Sequence, residues 1–575
     1  MKSFNNLKNN LKKDTSSFST LKIALVGDTS TQLLMTAING EAIERNFVLD
    51  YFEADFNQVE QEFLNPNSEL HLFKPDYIII FHSTHRLLQE YSDHINNQES
   101  LAEKRISFIK TISENVSSKI IYYNYPEIDD NIFGSFSNKI ISSFVYQVRK
   151  LNLDLMNYSQ KNNNFFICDI SSVQNKFGRN FIFTPSVYAN TEIVFSIDSL
   201  PIIASRTIDI ICSLEGKFKK CLVLDLDNTL WGGIIGDDGI ENIQLGHGIG
   251  IGKMFVEFQK WIKKLKDRGV ILAICSKNDE DKAKEPFLKH PEMILKLEDI
   301  SVFLANWENK VNNIRNIQSI LNIGFDSMVF LDDNPVEREI VAQNIPEILV
   351  PNLPDDPSLY LEYLYTLNIF ETTSYSKADK DRTKQYQEEA HRAVQKKYFV
   401  DEDDFLKSLD MESEISEFNK FNIPRIAQLS QRSNQFNLRT IRYTDSDIQN
   451  ICNDKKYKTF SFSLKDKFGD NGLIAAVILE IIDDETLFIN SWFMSCRVLK
   501  RGMENFILNT IIEYAIGKDF NKIVGEYIST TKNQMVKDLF TTLGFKEMSS
   551  EINNRYSISL KSYNLKESFI KKINI

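Results

Sequence analysis

The stretch Cys221–Gly233 reads CLVLDLDNTLWGG. Four apolar residues at its start predict a buried β-strand, which ends at two aspartates spaced by one residue, Asp225 and Asp227. In an open α/β sheet, ligands bind at the carboxyl ends of the strands. Carboxylates placed there can bind Mg²⁺ and attack phosphorus. The simpler alternative is an ordinary Asp-Asn turn after an apolar run.

Two apolar strands further along the chain also run into polar residues. One is Val270–Cys275, which follows an amphipathic helix, and the other is Met328–Leu331. A predicted helix lies between them and begins near the sequence NWENK. Three strands separated by helices therefore deliver polar groups to one edge of a sheet. Ser276 and Asn278 follow the second strand, and Lys310 lies between the second and third strands. Asp332 and Asp333 follow the third strand.

The four motifs resemble, in content and order, those of the haloacid dehalogenase (HAD) superfamily of phosphohydrolases. The wording DLDNTLWGG, CSKN, NWENK and FLDDNPVERE resembles the FkbH-like branch, a subfamily IIIC phosphatase. The resemblance covers residues 216–350 and implies a Rossmann-like parallel sheet. Only 51 positions (276 − 225) and 34 positions (310 − 276) separate the motif residues. This spacing leaves no room for a large cap domain, so we expect an open site.

The resemblance also implies a role for each motif residue. Asp225 is the expected nucleophile, and Asp227 the general acid that protonates the leaving oxygen and later activates water. Thr229 is expected to fix the loop. The Mg²⁺ ligands are expected to be Asp225, the backbone carbonyl of Asp227 and Asp332, with Asp333 acting through water. The phosphate oxygens are expected to bind Ser276, Lys310 and Asn278.

Residues 21–215 form a predicted α/β domain that follows a tail at residues 1–20. Its apolar runs LKIALVGD, DYIIIFHS, KIIYYNY and FFICDI alternate with helical stretches, which indicates a parallel, flavodoxin-like sheet. The sequence Gly27-Asp28-Thr29 resembles the opening of SGNH esterases, with Thr29 in place of their serine. No histidine occurs in the last part of the domain to act as a base. We therefore expect a docking or structural domain rather than an active esterase.

The phosphatase-like domain is predicted at residues 216–370, followed by a solvated linking helix within residues 371–414. Residues 415–562 resemble a GNAT acyltransferase, chiefly through NQMVKDLFTTLGF from Asn533, and residues 563–575 form a predicted tail. At the coenzyme A turn of that family this chain carries Leu499, Gly502 and Glu504. A carboxylate there would repel a pyrophosphate, so acetyl-CoA is not expected. We expect the slot to accept a phosphopantetheine arm, held by Arg501, Gly502 and Asn533.

Composition excludes several classes of partner. The formal charge is 67 − 79 = −12, which argues against binding to nucleic acid or to an anionic membrane. No apolar core of signal-peptide length follows the basic start MKSFNNLKNNLKK, and no apolar run approaches the length of a membrane span. Six cysteines without metal-ligand spacing predict reduced thiols in a cytoplasmic protein.

FkbH-like proteins with this layout are associated with loading a glyceryl unit from 1,3-bisphosphoglycerate onto an acyl carrier protein, through a cysteine thioester. Resemblance therefore predicts a carrier protein and a phosphorylated small molecule as partners. Cys496 and Cys275 are the two candidate thiols, each of which is otherwise a small buried apolar residue. Two alternatives stay open. One is a plain small-molecule phosphatase, and the other a carrier-docking scaffold with vestigial sites.

Overall fold

The structure is a computed structural model that describes residues 2–56, 58–93, 95–375, 379–380, 382–396, 398–530, 532–548, 554–561 and 563–573. The chain forms two compact units, Met1–Cys212 and Ser213–Ile575. No described helix is long and apolar enough to cross a membrane. All six cysteines are free thiols.

The first unit contains a five-stranded sheet in the order β2-β1-β3-β4-β5, and every neighbouring pair is parallel. This order is the flavodoxin-like one, as predicted. Strand β2 was missed because only two of its residues are buried. The strands are β1 (Ser19–Gly27), β2 (Phe47–Glu53), β3 (Tyr77–Phe81), β4 (Lys119–Tyr123) and β5 (Phe165–Cys168). The helices are α1 (Phe4–Asn10), α2 (Gln32–Glu44), α3 (Val59–Leu64), α4 (Glu69–Phe73), α5 (Thr84–Asp93), α6 (Leu101–Glu114), α7 (Phe144–Ser159), α8 (Ile170–Phe177), α9 (Arg179–Ile182), α10 (Pro185–Thr191) and α11 (Leu200–Leu214).

The segment predicted as an amino-terminal tail instead contains helix α1, which packs on α2. The side chain of Leu7 is fully buried. A Cβ atom built on Gly40 of α2 would lie 2.3 Å from the carbonyl oxygen of Leu7, so the two helices touch through their backbones. Two apolar residues, Phe4 and Leu7, in a polar stretch give little signal in sequence, yet here Leu7 holds the helix in place.

The second unit begins with a four-stranded parallel sheet in the order β8-β7-β6-β9. Its strands are β6 (Cys221–Leu224), β7 (Ile271–Ser276), β8 (Val302–Ala305) and β9 (Met328–Leu331). Its helices are α12 (Ile235–Asp238), α13 (Ile251–Asp267), α14 (Glu280–Lys289), α15 (Lys310–Leu321), α16 (Pro335–Asn344) and α17 (Tyr360–Leu367). All residues between β6 and β7 are described, and they hold only α12 and α13, so no large cap domain is inserted there.

The rest of the unit is an α+β domain with an eight-stranded sheet in the order β15-β16-β14-β13-β12-β11-β10-β17. The strands are β10 (Met411–Ser416), β11 (Tyr457–Asp466), β12 (Gly469–Ile481), β13 (Thr486–Met494), β14 (Lys522–Glu526), β15 (Lys546–Glu547), β16 (Arg555–Ser559) and β17 (Ile570–Ile573). The helices are α18 (Arg382–Lys396), α19 (Glu402–Ser408), α20 (Ile423–Arg432), α21 (Asp445–Asn453), α22 (Met503–Ile516) and α23 (Leu539–Thr542). Two helices separate β10 from β11, and α22 leads from β13 to its parallel neighbour β14. This is the GNAT-like order that we expected.

Two segments of this domain differ from their sequence interpretation. The predicted carboxyl-terminal tail supplies β17, which pairs in parallel with β10. The predicted solvated linking helix, α18, is packed rather than solvated. Tyr386 and Arg392 on it are buried, and Arg392 donates to both carboxylate oxygens of Asp466 at 2.8 Å. A strongly charged helix is buried here because its charges are paired.

Candidate active site

Two neighbouring strands of the phosphatase-like sheet place Asp225 and Asp332 side by side. Strands β6 and β9 are parallel neighbours, with Leu224 opposite Leu331. The Asp225 amide continues the pairing by donating to the Leu331 carbonyl at 3.0 Å. Both aspartates are buried, at 7% and 0% exposure. The apolar strands thus hold two carboxylates at the carboxyl edge, as the sequence predicted.

Asp333 joins them in a cluster that can hold a cation. One carboxylate oxygen from each of Asp225, Asp332 and Asp333 lies within 4.8 Å of the others. Burial, followed by the charge of Asp225, raises the pKa of Asp332 to about 7, and burial also raises the pKa of Asp333. The buried Oδ1 atom of Asp225 has no hydrogen-bond partner among the described residues. Three crowded carboxylates and an unsatisfied oxygen suit a hard divalent cation that prefers oxygen ligands.

Lys310 neutralises part of this cluster. It is the first residue of α15, which Asn309 caps with its side chain. The Nζ atom of Lys310 lies 2.8 Å from Oδ2 of Asp225 and 2.5 Å from Oδ2 of Asp332. Burial opposes the charge of Lys310, but the two carboxylates prevail and raise its pKa above the usual value. The amine is therefore a fixed positive charge beside the predicted nucleophile.

Asp227 is held by three donors. Its Oδ1 accepts from Trp231 Nε1 and from the Ile235 amide, both at 3.0 Å, and its Oδ2 accepts from Asn278 Nδ2 at 2.8 Å. The same amide nitrogen donates to Ser276 Oγ at 3.2 Å. Both N–H groups of Asn278 are thus used within the site, so the structure makes it a positioning residue and not the phosphate ligand that we predicted. The sequence analysis missed Trp231, although it lies inside the quoted first motif.

Thr229 and Arg338 fix the loops that carry the aspartates. The Asp333 amide donates to Thr229 Oγ1 at 3.1 Å, which gives Thr229 the role that we expected. Arg338 donates from Nη1 to the backbone carbonyls of Asp332, at 2.8 Å, and Asp333, at 2.6 Å. Arg338 was not predicted, although it lies inside the quoted motif FLDDNPVERE, five positions after Asp333.

Cys275 lies near the cluster but is a poor candidate nucleophile. Its side chain is fully buried and packs with Cys221 and Val223, on the face of β7 opposite Ser276. Burial raises its pKa, and its thiol donates to the Lys310 carbonyl at 3.7 Å. A thiol held protonated in an apolar core is unreactive. The structure therefore contradicts its predicted catalytic role.

Cys496 lies next to the amino-terminal ends of the strands in the phosphatase-like sheet, opposite the carboxylate cluster. It follows β13 and lines a cavity together with Lys220 and Ser327, which immediately precede β6 and β9. Five residues of extended chain separate Lys220 from Asp225, or roughly 16 Å at ~3.3 Å per residue. The structure thus does not bring Cys496 to the carboxylate cluster.

The predicted phosphopantetheine ligands are engaged elsewhere. Arg501 pairs with Asp466 at 3.1 Å and with Glu389. Asn533 is fully buried; its Nδ2 donates to the Asn437 and Ile528 carbonyls, and its Oδ1 accepts from Thr530 and Tyr527. All four of its hydrogen-bonding positions are occupied. These two side chains therefore support the fold, whereas Gly502 caps α22 with a positive φ of 76°.

The esterase-like residues of the first unit form no catalytic pair. Both carboxylate oxygens of Asp28 accept from the Ser83 amide, at 2.9 and 3.0 Å. Thr29 is fully buried, and its hydroxyl has no hydrogen-bond partner among the described residues. His82 instead contacts the Tyr122 hydroxyl at 2.7 Å. No base therefore hydrogen-bonds to Thr29 in the described part of the chain.

Comparisons with known proteins fit this geometry. Residues 22–212 match the family model described as FkbH, N-terminal domain. A crystal structure of the N-terminal part of protein BF1531 from Bacteroides fragilis, containing a phosphatase domain complexed with Mg, is 60% identical to this chain. The match covers 65% of this chain and 100% of that one, with a TM-score of 0.64. No curated protein matches the chain.

Matches to acetyltransferase structures are much weaker. The ribosomal-protein-S18-alanine N-acetyltransferase from Escherichia coli is 13% identical, with a TM-score of 0.21, and the match covers 26% of this chain and 96% of that one. Spermidine N-acetyltransferase from Vibrio cholerae is 15% identical with the same coverages and TM-score. These values assign no activity. The match over the whole of a 60% identical relative, with the four motifs in place, shows that the chain belongs to the FkbH-like family of HAD phosphatases.

Proposed function

We propose that this protein is a Mg²⁺-dependent phosphohydrolase that acts on a phosphorylated small molecule. The observation that carries the proposal is the buried cluster of Asp225, Asp332 and Asp333 with Lys310 against it. The relative from Bacteroides fragilis, which holds Mg in its crystal, supports the choice of metal. Asp225, Asp332 and Asp333 would hold the ion.

Each residue of the site has a chemical task in this reaction. A bound Mg²⁺ supplies positive charge that offsets the repulsion between carboxylate and phosphate. Asp225 attacks phosphorus with one carboxylate oxygen and forms an aspartyl-phosphate. In this reaction Lys310 and Ser276 would stabilise the negative charge on the phosphate oxygens.

Asp227 is arranged to handle the proton. It accepts three hydrogen bonds, from Trp231, Ile235 and Asn278, which fix the carboxyl group in the loop that follows β6. From there it donates a proton to the leaving oxygen and later takes one from the attacking water. Its backbone carbonyl as a metal ligand stays a prediction.

The proposal is tested with an Asp225→Asn variant. We expect phosphate release from p-nitrophenyl phosphate in the presence of Mg²⁺ to fall by about 10³-fold or more, because an amide does not attack phosphorus. Chelation of divalent cations with EDTA should abolish the wild-type activity, and added Mg²⁺ should restore it. An Asp267→Asn variant, at the exposed end of α13, is the matched control. Undiminished hydrolysis by Asp225→Asn would refute the proposal.

We further propose that the reaction serves acyl loading, in which a glyceryl unit from 1,3-bisphosphoglycerate reaches the phosphopantetheine thiol of an acyl carrier protein. The family resemblance supports it, as do the GNAT-like domain and the partly exposed thiol of Cys496 beside a cavity. The protein is incubated with 1,3-bisphosphoglycerate, Mg²⁺ and a phosphopantetheinylated carrier. Intact-mass spectrometry should then detect a glyceryl adduct on this protein. The adduct should be lost in Cys496→Ala and kept in Cys275→Ala. Free phosphate without any adduct would favour a plain small-molecule phosphatase.

A docking scaffold with vestigial sites is less well supported. Asp225, Asp227, Ser276, Lys310 and Asp332 are all present, and they are brought together at one sheet edge. A decayed site would be expected to have lost at least one of these groups.

A further inference from the structure

A cavity of about 310 Å³ lies at the edge of the phosphatase-like sheet opposite the carboxylate cluster. The amino-terminal ends of β6 and β9 form one wall, and the end of β13 with the loop after β14 forms the other. The volume is at the small end of the range for binding sites of small molecules. The side chains that matter below are Lys220, Phe325, Arg432, Met494, Cys496 and Lys532.

Basic side chains outnumber acidic ones around this space. A smaller void of about 40 Å³ shares Lys220, Arg432 and Cys496 with it and adds three arginines. The cations that line the two voids are Lys220, Arg382, Arg425, Arg432, Arg497 and Lys532. The acids in the lining are Asp326, which pairs with Lys532, and Glu347. Asp379 pairs with Arg382 and Arg432. Six basic side chains therefore line the two voids, against two acidic side chains in the same linings.

Part of this positive charge is buried. Lys220 donates to the Arg432 carbonyl at 2.8 Å, a neutral acceptor, and Nε of Arg432 is buried without a partner among the described residues. Burial lowers the pKa of Lys220 to about 7 and those of Arg425 and Arg432 to about 9. Buried charges that lack a counter-charge destabilise a fold, and a bound anion relieves that cost through charge-assisted hydrogen bonds.

We propose that this cavity is a second phosphate-binding site, separate from the Asp225 centre, and that it holds a phosphate-bearing compound beside the Cys496 thiol. A phosphate group suits the site because its two charges meet several fixed cations. The apolar side chains of Phe325 and Met494 leave room for a carbon chain on the same compound. The phosphate can belong either to a small phosphorylated acid or to a phosphopantetheine arm, and the experiment separates these sources.

The cavity proposal rests on the proposed function only for its class of ligand, a phosphorylated compound. It does not require hydrolysis at Asp225. A test of anion binding at the cavity can therefore fail or succeed regardless of phosphatase activity. The Asp225→Asn variant makes the separation explicit. It should lose hydrolysis and retain binding at the cavity.

Alkylation of Cys496 by iodoacetamide reports on occupancy of the cavity. Four of the six thiols are buried, and only Cys452 and Cys496 are partly exposed. Cys452 lies outside the two cavities and is an internal control in the same sample. The reaction is run with EDTA, so that phosphate is not held through a metal, and at constant ionic strength set with chloride. We expect inorganic phosphate to slow alkylation of Cys496 several-fold, as measured by peptide mass spectrometry, and to leave Cys452 unchanged.

Two lysine variants test which groups bind the anion. Lys220→Met and Lys532→Met should each raise the phosphate concentration that gives half-maximal protection by about tenfold, the effect of losing one charge-assisted hydrogen bond. Lys518→Met, at an exposed position of the same domain, should leave it unchanged. Circular dichroism and thermal unfolding check that the variants are folded; if Lys220→Met is not, Lys532→Met decides.

The two sources of phosphate are compared in parallel. Protection by 3-phosphoglycerate at lower concentration than by 4′-phosphopantetheine assigns the site to a small phosphorylated acid, and the reverse order assigns it to the carrier arm. Either order supports a phosphate site. The proposal is overturned if inorganic phosphate and both compounds leave Cys496 reactivity unchanged. It is also overturned if they protect wild type and both lysine variants equally.

Discussion

Lys220 and Asp225 lie immediately before and immediately after the buried strand β6. They therefore lie at the amino-terminal and carboxyl-terminal ends of the strands in one parallel sheet. The Lys220 amide donates to the Ser327 carbonyl at 2.7 Å, and the Asp225 amide donates to the Leu331 carbonyl at 3.0 Å. The cavity beside Cys496 thus lies at the amino-terminal ends of strands β6 and β9, and the carboxylate cluster lies at their carboxyl ends. In the proposed acyl loading, a compound that reacts at both must travel between them, so the two proposed steps are separate events.

Lys310→Met should separate catalysis from metal binding. Loss of the ammonium removes charge stabilisation from the phosphate, so we expect kcat/KM for p-nitrophenyl phosphate to fall by about 10²–10³-fold. The same change leaves Asp225 and Asp332 without their counter-charge, so Mg²⁺ should raise the unfolding temperature of the variant more than that of wild type. Lys277→Met, which removes a nearby exposed lysine paired with Glu337, is the control. Unchanged kcat/KM in Lys310→Met would contradict the assignment.

Asp227→Asn should show a defect that depends on the leaving group. An amide keeps the hydrogen bonds from Trp231 and Ile235, and Asn278 can turn its carbonyl toward the new amide. The variant cannot supply a proton, however, which matters most for a basic alkoxide. We expect a loss of about 10²–10⁴-fold on glycerol 3-phosphate and a much smaller one on p-nitrophenyl phosphate. Equal losses on the two substrates would show that Asp227 is not the general acid.

The carboxylate cluster could be predicted because its elements are local. Strands β6 and β9 are short apolar runs, and the rule that ligands bind at the carboxyl ends of parallel strands places Asp225 beside Asp332. The position of Cys496 could not be predicted in this way. It depends on how the GNAT-like domain packs against the base of the phosphatase-like sheet, which no local pattern encodes. The burial of α18 was missed for a similar reason, since the partner of Arg392 is Asp466, 74 positions along the chain.

Because α1 packs on α2 at Gly40, an alanine at this position should lower the free energy of unfolding rather than raise it. Glycine to alanine in a helix usually stabilises it by about 1 kcal/mol. In Gly40→Ala the new methyl group would instead lie 2.3 Å from the Leu7 carbonyl oxygen, which cannot move without displacing α1. We expect a net loss of about 1–3 kcal/mol and faster proteolytic removal of the first residues. Gly248→Ala, where nothing lies within 4 Å, should be neutral. Resistance to proteolysis equal to that of wild type would show that α1 is not held there.

Asp28 should make the stability of the first unit depend on pH. Burial raises its pKa to about 7, and hydrogen bonds from the Ser83 amide and the charges of Arg105 and Arg86 only partly oppose the shift. Between about pH 4 and pH 7 the folded protein therefore keeps a proton that the unfolded chain has released. The free energy of unfolding contributed by this group falls as the pH rises through that window, and the loss is complete above it.

An Asp28→Asn variant removes this titration while its side-chain oxygen can still accept from the Ser83 amide. Relative to wild type, its free energy of unfolding should increase as the pH rises from about 4 to 7 and then stay level. Hydrogen exchange of peptides from Tyr77–Phe81, compared between the two proteins at each pH, measures the difference for this unit alone. Asp198→Asn, at an exposed position, should follow wild type at every pH. If Asp28→Asn also follows wild type, Asp28 ionises at its ordinary pKa and the buried carboxyl group carries no such cost.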